Sequence, residues 1–257
     1  MALPSTRART RPPRARRAAV PALGCVSALL LSACGPGEEE QPSFTDQGYP
    51  VAPPQEIAAA DPAHEDVALV PIGQLADAAW LAETAERTGI PERVLAAYAG
   101  ASIRLDETHP DCGIGWNTLA GIGAVESVHG QIDGSQTDED GQVEPPIIGI
   151  PLDGSDGVLE IPDTDGGELD EDTEWDRAVG PMQFIPTTWE ENAQDGNLDG
   201  VSDPHQIDDA VLTAALYLCG QGGDLTDDDG WNSAITAYNL PQFYARDVAE
   251  HATGYVE

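Results

Sequence analysis

The sequence predicts a mainly α-helical domain, and three observations carry that prediction. From Ile72 onward apolar residues return at three- and four-residue spacing. Helix-opening residues precede those stretches and glycine follows several of them, while two-residue alternation is scarce. Between Ile72 and Tyr98 the pattern breaks at Gly89-Ile90-Pro91, so two helices are expected, with Pro91 opening the second. Trp116, Leu119, Ala120 and Gly123 predict a third. Residues 131–176, dense in Gly, Asp and Pro, read as a long acidic loop insertion, with Ile147-Ile148 and Val158-Leu159 as a small strand pair. Pro186-Thr187-Thr188-Trp189-Glu190-Glu191 offers a capping box in two registers, so a helix should begin near Thr187 or Thr188. Asp208 or Asp209 is expected to cap the next, through Val211, Leu212, Ala215, Leu216 and Leu218 to Cys219, ending at Gly220. Residues 230–239 and 241–252 complete the set, the last opened by Pro241. No internal repeat is visible, and residues 71–257 are long enough to bury one core.

The N-terminus reads as an export signal. Arg7, Arg9, Arg11, Arg14, Arg16 and Arg17 form a basic region without an acid, and residues 18–33 are mostly apolar yet short for a membrane span. Leu31-Ser32-Ala33-Cys34 resembles a bacterial lipobox, which makes 1–33 a lipoprotein signal peptide and Cys34 the lipidated residue, with two acyl chains for stable anchoring. Arg16-Arg17 alone does not distinguish twin-arginine from Sec export. Residues 34–70, rich in Pro, Ala, Gln and acids, are expected to be a flexible tether. The chain is thus expected outside the cell, lipid-anchored to the outer face of the membrane.

Charge narrows the partners. All 46 acids follow Cys34, against five arginines and no lysine, which leaves the mature chain at about −41. Such a surface repels nucleic acid and anionic headgroups, so partners should be neutral or cationic. Much of the acid can serve solubility alone. Of the cysteines only Cys112 and Cys219 remain in the mature domain. In an oxidising compartment they read as a disulfide, the alternative being two buried thiols. Cys/His ligands at zinc spacing are missing from the sequence.

Glu126 continues the apolar stripe of the third helix and therefore faces inward. A carboxyl group in a poorly solvated cleft has its pKa raised and can act as a general acid. Pairing with an arginine is the structural alternative. His129, close by, is expected to support the site or lie at the surface rather than to catalyse.

Three blocks occur in order: Glu126-Ser127 followed by Gly130, Gly180-Pro181-Met182-Gln183-Phe184-Ile185-Pro186, and Ala237-Tyr238-Asn239. Together they resemble the blocks of lytic murein transglycosylases, with closest likeness to the exported actinobacterial branch and the membrane-bound B-type enzymes, over roughly residues 85–257. The resemblance implies a lysozyme-like (SLT/goose-lysozyme-like) helical domain. It also implies non-hydrolytic cleavage of the MurNAc-β-1,4-GlcNAc bond of peptidoglycan to a 1,6-anhydro sugar. Glu126 would serve as both acid and base. Because the muramic acid C6 hydroxyl attacks, the second carboxyl group of ordinary glycosidases is not needed. Ser127 matches the serine that orients the acid, Gln183 the amide lining the cleft, and Tyr238 and Asn239 the Tyr-Asn block, with Met182 packing beneath. Leu240-Pro241 departs from the glycine that often follows the Asn, which alters the local loop. A lysozyme-like muramidase and a non-catalytic peptidoglycan-binding lipoprotein are the competing readings.

Asp195-Gly-Asn197-Leu-Asp199-Gly200-Val201-Ser-Asp203 follows the Asp-x-Asn-x-Asp-Gly pattern of calcium loops. Position 12 is Gln206 instead of Glu, so Asp203, Asp208 or Asp209 would complete the shell. The alternative is an acidic turn without metal. Any calcium here would be structural, since the chemistry requires no cofactor.

Overall fold

In the computed structural model, helix ends explain themselves from the local sequence. The structure describes residues 50–57, 66–155 and 158–257, all within the unit Thr45–Glu257. The signal peptide and Cys34 lie outside the described residues. Helix α1 (Ala78–Thr88) is capped by Asp77 and stops at Gly89, whose φ of 75° only glycine adopts readily. Pro91 then precedes α2 (Glu92–Thr108), which is buried continuously from Val94 to Leu105. A helix buried all round is a core helix, and the others pack about it. α3 (Trp116–Ser127) lies against it, as does α5 (Ile207–Gly222). α6 (Asp228–Tyr238) packs on α5, and α7 (Gln242–Gly254) runs along α3. Between α3 and α5 lies the short α4 (Pro186–Asn192).

Two helix starts differ from expectation. α4 begins at Pro186 with Ile185 at the cap and no side-chain cap, because proline's fixed φ suits the first helical position. α5 is capped by the Gln206 side chain, which accepts from Asp208 N at 2.5 Å. Asp208 is instead held by a two-pronged pair with Arg93, both contacts at 2.8 Å. That helix also runs past Gly220 to Gly222 and turns at Gly223, φ 73°.

Two small antiparallel ladders form in and just after the acidic insertion, and the expected strand at Val158-Leu159 is replaced as partner by Arg177–Val179. β1 (Gln136–Thr137) pairs with β2 (Val143–Glu144), and β3 (Ile148–Pro151) pairs with β4 (Arg177–Val179). Short turns built from Asp side chains fill residues 163–176; Asp163, Asp165 and Asp172 each accept neighbouring backbone amides.

Residues 50–57, expected within the flexible tether, lie on the domain. Gly115 caps α3 without a side chain, and Gln55 Oε1 supplies the missing acceptor to Gly115 N at 2.7 Å and to the Thr118 hydroxyl at 3.2 Å. Pro50 O accepts from Asn232 Nδ2 at 2.8 Å, and Ala52 N donates to Asp228. The Cys112–Cys219 disulfide is present, Cα atoms 5.3 Å apart, and ties the segment before α3 to α5 across 107 residues. Closing a loop of that length contributes about 4–5 kcal/mol in the chain-entropy account.

Candidate active site

Glu126 sits in the last turn of α3, partly buried, where the tyrosine hydroxyl of Tyr244 donates to its Oε1 at 2.5 Å. Loss of water raises its pKa to about 7, against the lowering effect of the Tyr244 bond. The carboxyl is therefore poised to hold a proton near neutrality and to release it. Tyr244 lies on the first turn of α7, on the face that also buries Ala245 and Val248. Sequence reasoning missed it. The only signal was a tyrosine on the inward stripe just after Pro241, and nothing in the sequence says that this stripe meets α3.

The remaining blocks converge on one tight turn. Val179 and Phe184 exchange backbone hydrogen bonds of 2.8 and 2.9 Å, closing residues 179–184. Gly180 has φ 77°, and a Cβ there would lie 1.9 Å from Pro204 O, so only glycine fits. Two consecutive carbonyls of this turn are held from outside. Ser127 Oγ donates to Pro181 O at 2.6 Å, and Tyr238 Oη donates to Met182 O at 2.7 Å. Ser127, fully buried, also accepts from Gly130 N at 2.8 Å. Its hydroxyl is thus committed to the turn and not to the Glu126 carboxylate; it fixes the helix end that carries the acid. Burial and the nearby Glu126 charge push the Tyr238 phenol well above its ordinary pKa, so it stays a neutral donor.

Gln183 is half-buried at φ 49°, its Nε2 donating back to Gly180 O at 2.9 Å. Met182 is fully buried beneath the turn. Asn239 ends α6, exposed, and its side chain makes no hydrogen bond among the described residues. His129 is 8 % exposed and holds two tyrosine hydroxyls, Tyr98 at 3.2 Å and Tyr255 at 2.9 Å. Burial, with His251 nearby, lowers its pKa to about 4, so the ring is neutral at pH 7.

In the 195–203 loop the polar side chains cap the loop's own backbone amides, while Leu198, Asp199 and Val201 are exposed. Asp195 accepts from Asp199 N and Gly200 N, Asn197 Oδ1 from Asp199 N, and Asp199 from Val201 N. Asp203 accepts from Gln142 Nε2 at 3.1 Å. Asp209, 1 % exposed, reaches back to Gly196 N and Asp203 N, and burial raises its pKa to about 6, with Asp195 adding repulsion. Asp208, engaged by Arg93, does not turn to the loop. The donor set is oxygen-only, the kind calcium takes, but among the described residues Asp195, Asp199, Asp203 and Asp209 do not form a group of three carboxylates with oxygens within 4.8 Å of one another. The acidic group that does converge, among the described residues, is Asp163, Asp165 and Asp176, with carboxylate oxygens within 4.8 Å of one another. The sequence reading passed over it; Asp176 is taken up by Thr164 N and Oγ1, both at 2.8 Å.

Residues 158–232 match the transglycosylase SLT domain family. The matched stretch contains the Gly180–Pro186 turn and the 195–203 loop, and stops short of Tyr238. Two solved structures of the Escherichia coli lytic transglycosylase Slt35 resemble the chain at 15 % identity, each over 69 % of this chain and 78 % of that one. They are the bulgecin A complex, TM-score 0.40, and the calcium complex, TM-score 0.39. No curated protein matches the sequence.

Proposed function

We propose that the chain is an exported peptidoglycan lytic transglycosylase of lysozyme-like fold, cleaving the MurNAc-β-1,4-GlcNAc bond with Glu126 as its single acid and base. The observation that carries this reading is the joint at residues 180–184. Ser127 beside the acid and Tyr238 of the third block grip successive carbonyls of the second block, so three segments distant in sequence build one site beside Glu126, whose pKa burial raises to about 7. The match of residues 158–232 to the transglycosylase SLT domain supports the family part of this reading; it takes in the 180–184 turn and neither Glu126 nor Tyr238.

Glu126 gives its proton to the glycosidic oxygen as the bond from C1 to that oxygen breaks. The resulting carboxylate then takes the proton of the muramic acid C6 hydroxyl while O6 bonds to C1. The acid is restored, no water is consumed, and the products are a 1,6-anhydro-MurNAc end and a free GlcNAc hydroxyl. Tyr244 fixes the carboxyl's orientation and favours its anionic form during the second step. Asn239 and Gln183 offer amides to glycan N-acetyl groups, and Tyr238 an apolar ring edge.

Asp195, Asn197, Asp199, the Val201 carbonyl and Asp203, completed by Asp209, would hold a structural calcium that neutralises their charge and fixes the segment after the turn. Export and a diacylated Cys34 would keep the domain at the outer face of the cell membrane, against the cell wall. In a test of the reading, purified protein is incubated with peptidoglycan and the digest weighed by mass spectrometry. Anhydro-muropeptides that vanish in Glu126→Gln support it; reducing-end products, heavier by one water, would indicate a muramidase instead.

A further inference from the structure

α3 and α7 carry the acid and its hydroxyl partner, and they are joined at both ends of α7. At its start Tyr244 donates to Glu126. At its end Tyr255 meets His129 Nε2 at 2.9 Å, and the Tyr255 ring also stacks on Trp116 and His251 with centroids 6.4 and 6.0 Å away. His129 reaches this position through an unusual backbone. Val128, His129 and Gly130 take φ values of 53°, 59° and 74° in succession, a run of left-handed residues that folds the chain back under α3. Val128 is β-branched, a type that rarely adopts that region, and it remains 56 % exposed. The strained turn therefore buries not Val128 but the imidazole after it. His129 N donates to Gly123 O at 2.9 Å, and Nδ1 meets Tyr98 Oη of α2 at 3.2 Å. Tyr98 Oη lies so close to the helix that a Cβ on Gly123 would be 1.9 Å from it.

We propose that His129 is a positioning residue for Glu126, pinning the end of α3 to α2 and to the far end of α7. The inference rests on the transglycosylase reading for its catalytic consequence. With two pins α7 cannot pivot, and the Tyr244 hydroxyl stays in register with the carboxyl. Without the His129 pin α7 still meets α3 through Asn117 Nδ2 to Ala252 O at 3.1 Å and the close approach of Gly121 to Val248 O, but the turn after Glu126 loosens, water enters, and the acid loses its environment. The groups facing the ring are Tyr98 from α2 and Tyr255 and His251 from α7 and its end; in either tautomer the neutral ring offers one donor and one acceptor to the two hydroxyls.

His129→Leu removes both contacts, and Tyr255→Phe removes one hydroxyl while keeping the ring stack, which protects folding. His129→Gln keeps a donor and an acceptor. The readouts are the Glu126 carboxyl midpoint by carbon-13 NMR and, separately, kcat and KM for anhydro-muropeptide release. The Leu and Phe variants should lower kcat about tenfold or more at nearly constant KM, the scale of a small misplacement of a reacting group. They should also move the carboxyl midpoint away from its native position near 7, because both the exclusion of water and the Tyr244 bond change, with Gln restoring most of both. Native kcat and native midpoint in both Leu and Phe variants, with only a lower melting temperature, would overturn the proposal. If the native protein releases no anhydro-muropeptide, the reaction itself fails, and the midpoint alone then upholds or overturns the pin.

Discussion

Replacing Tyr244 with Phe removes one oxygen and leaves the buried ring in place, so it isolates the 2.5 Å bond to Glu126. That bond favours the carboxylate and is the influence that lowers the acid's pKa, against the desolvation that raises it to about 7. A hydrogen bond to a charged group contributes about 1.5–3 kcal/mol, equivalent to about one to two pKa units. Because Glu126 is partly open to solvent, the lower figure applies, and the midpoint should rise by about one unit. The proposed reaction starts from the protonated acid, so on that account kcat/KM falls as pH rises through the free enzyme's Glu126 midpoint. The assay is release of anhydro-muropeptides from solubilised glycan between pH 5 and 9. In Tyr244→Phe the high-pH limb should move upward by about one unit, with a lower plateau from the loosened carboxyl. A limb that stays in place, or moves to lower pH, would refute the assignment of Tyr244 as the partner of the catalytic acid.

Three further predictions concern stability. Glu126 has a folded pKa above its unfolded value, so the native state binds more protons between about pH 4.5 and 7 and stability is lost as pH rises across that window. Glu126→Gln should therefore stabilise the protein at pH 8 by up to about 3 kcal/mol and hardly at pH 4, as read by urea unfolding at both pH values; equal effects would contradict the buried-acid picture. Arg93→Ala leaves Asp208, 2 % exposed, without its cation, and should destabilise by about 3–5 kcal/mol in the same experiment. Added calcium at 100 times its dissociation constant should stabilise by about 2.7 kcal/mol, seen as a higher melting temperature that chelation reverses and Asp195→Ala abolishes. No shift with calcium in the native protein would leave the loop as an acidic turn.

Periodicity made α3 and the inward face of Glu126 legible, because a stripe at helical spacing locates a side chain relative to its own helix. Periodicity cannot say which other stripe it meets. Tyr244 and the two carbonyl grips by Ser127 and Tyr238 depend on how α3, α6, α7 and the 179–184 turn pack, and they emerge only in three dimensions. Cap residues were read less well where several candidates competed. Pro186 displaced the threonine capping box, and Gln206 displaced Asp208 and Asp209, since those acids were engaged by Arg93 and by the 195–203 loop. The strap at 50–57 was hidden by its composition: Pro, Ala and Gln look like linker, yet Gln55 supplies the acceptor that α3 lacks. His129 looked peripheral because a left-handed valine before it is not something a sequence advertises.

Everything in the proposed chemistry depends on the substrate's own hydroxyl, not water, completing the reaction at Glu126. Digestion of peptidoglycan in oxygen-18 water measures this directly. The account predicts anhydro-MurNAc ends carrying no solvent oxygen, formed by the native protein and not by Glu126→Gln. Reducing MurNAc ends carrying one oxygen-18 each would contradict it.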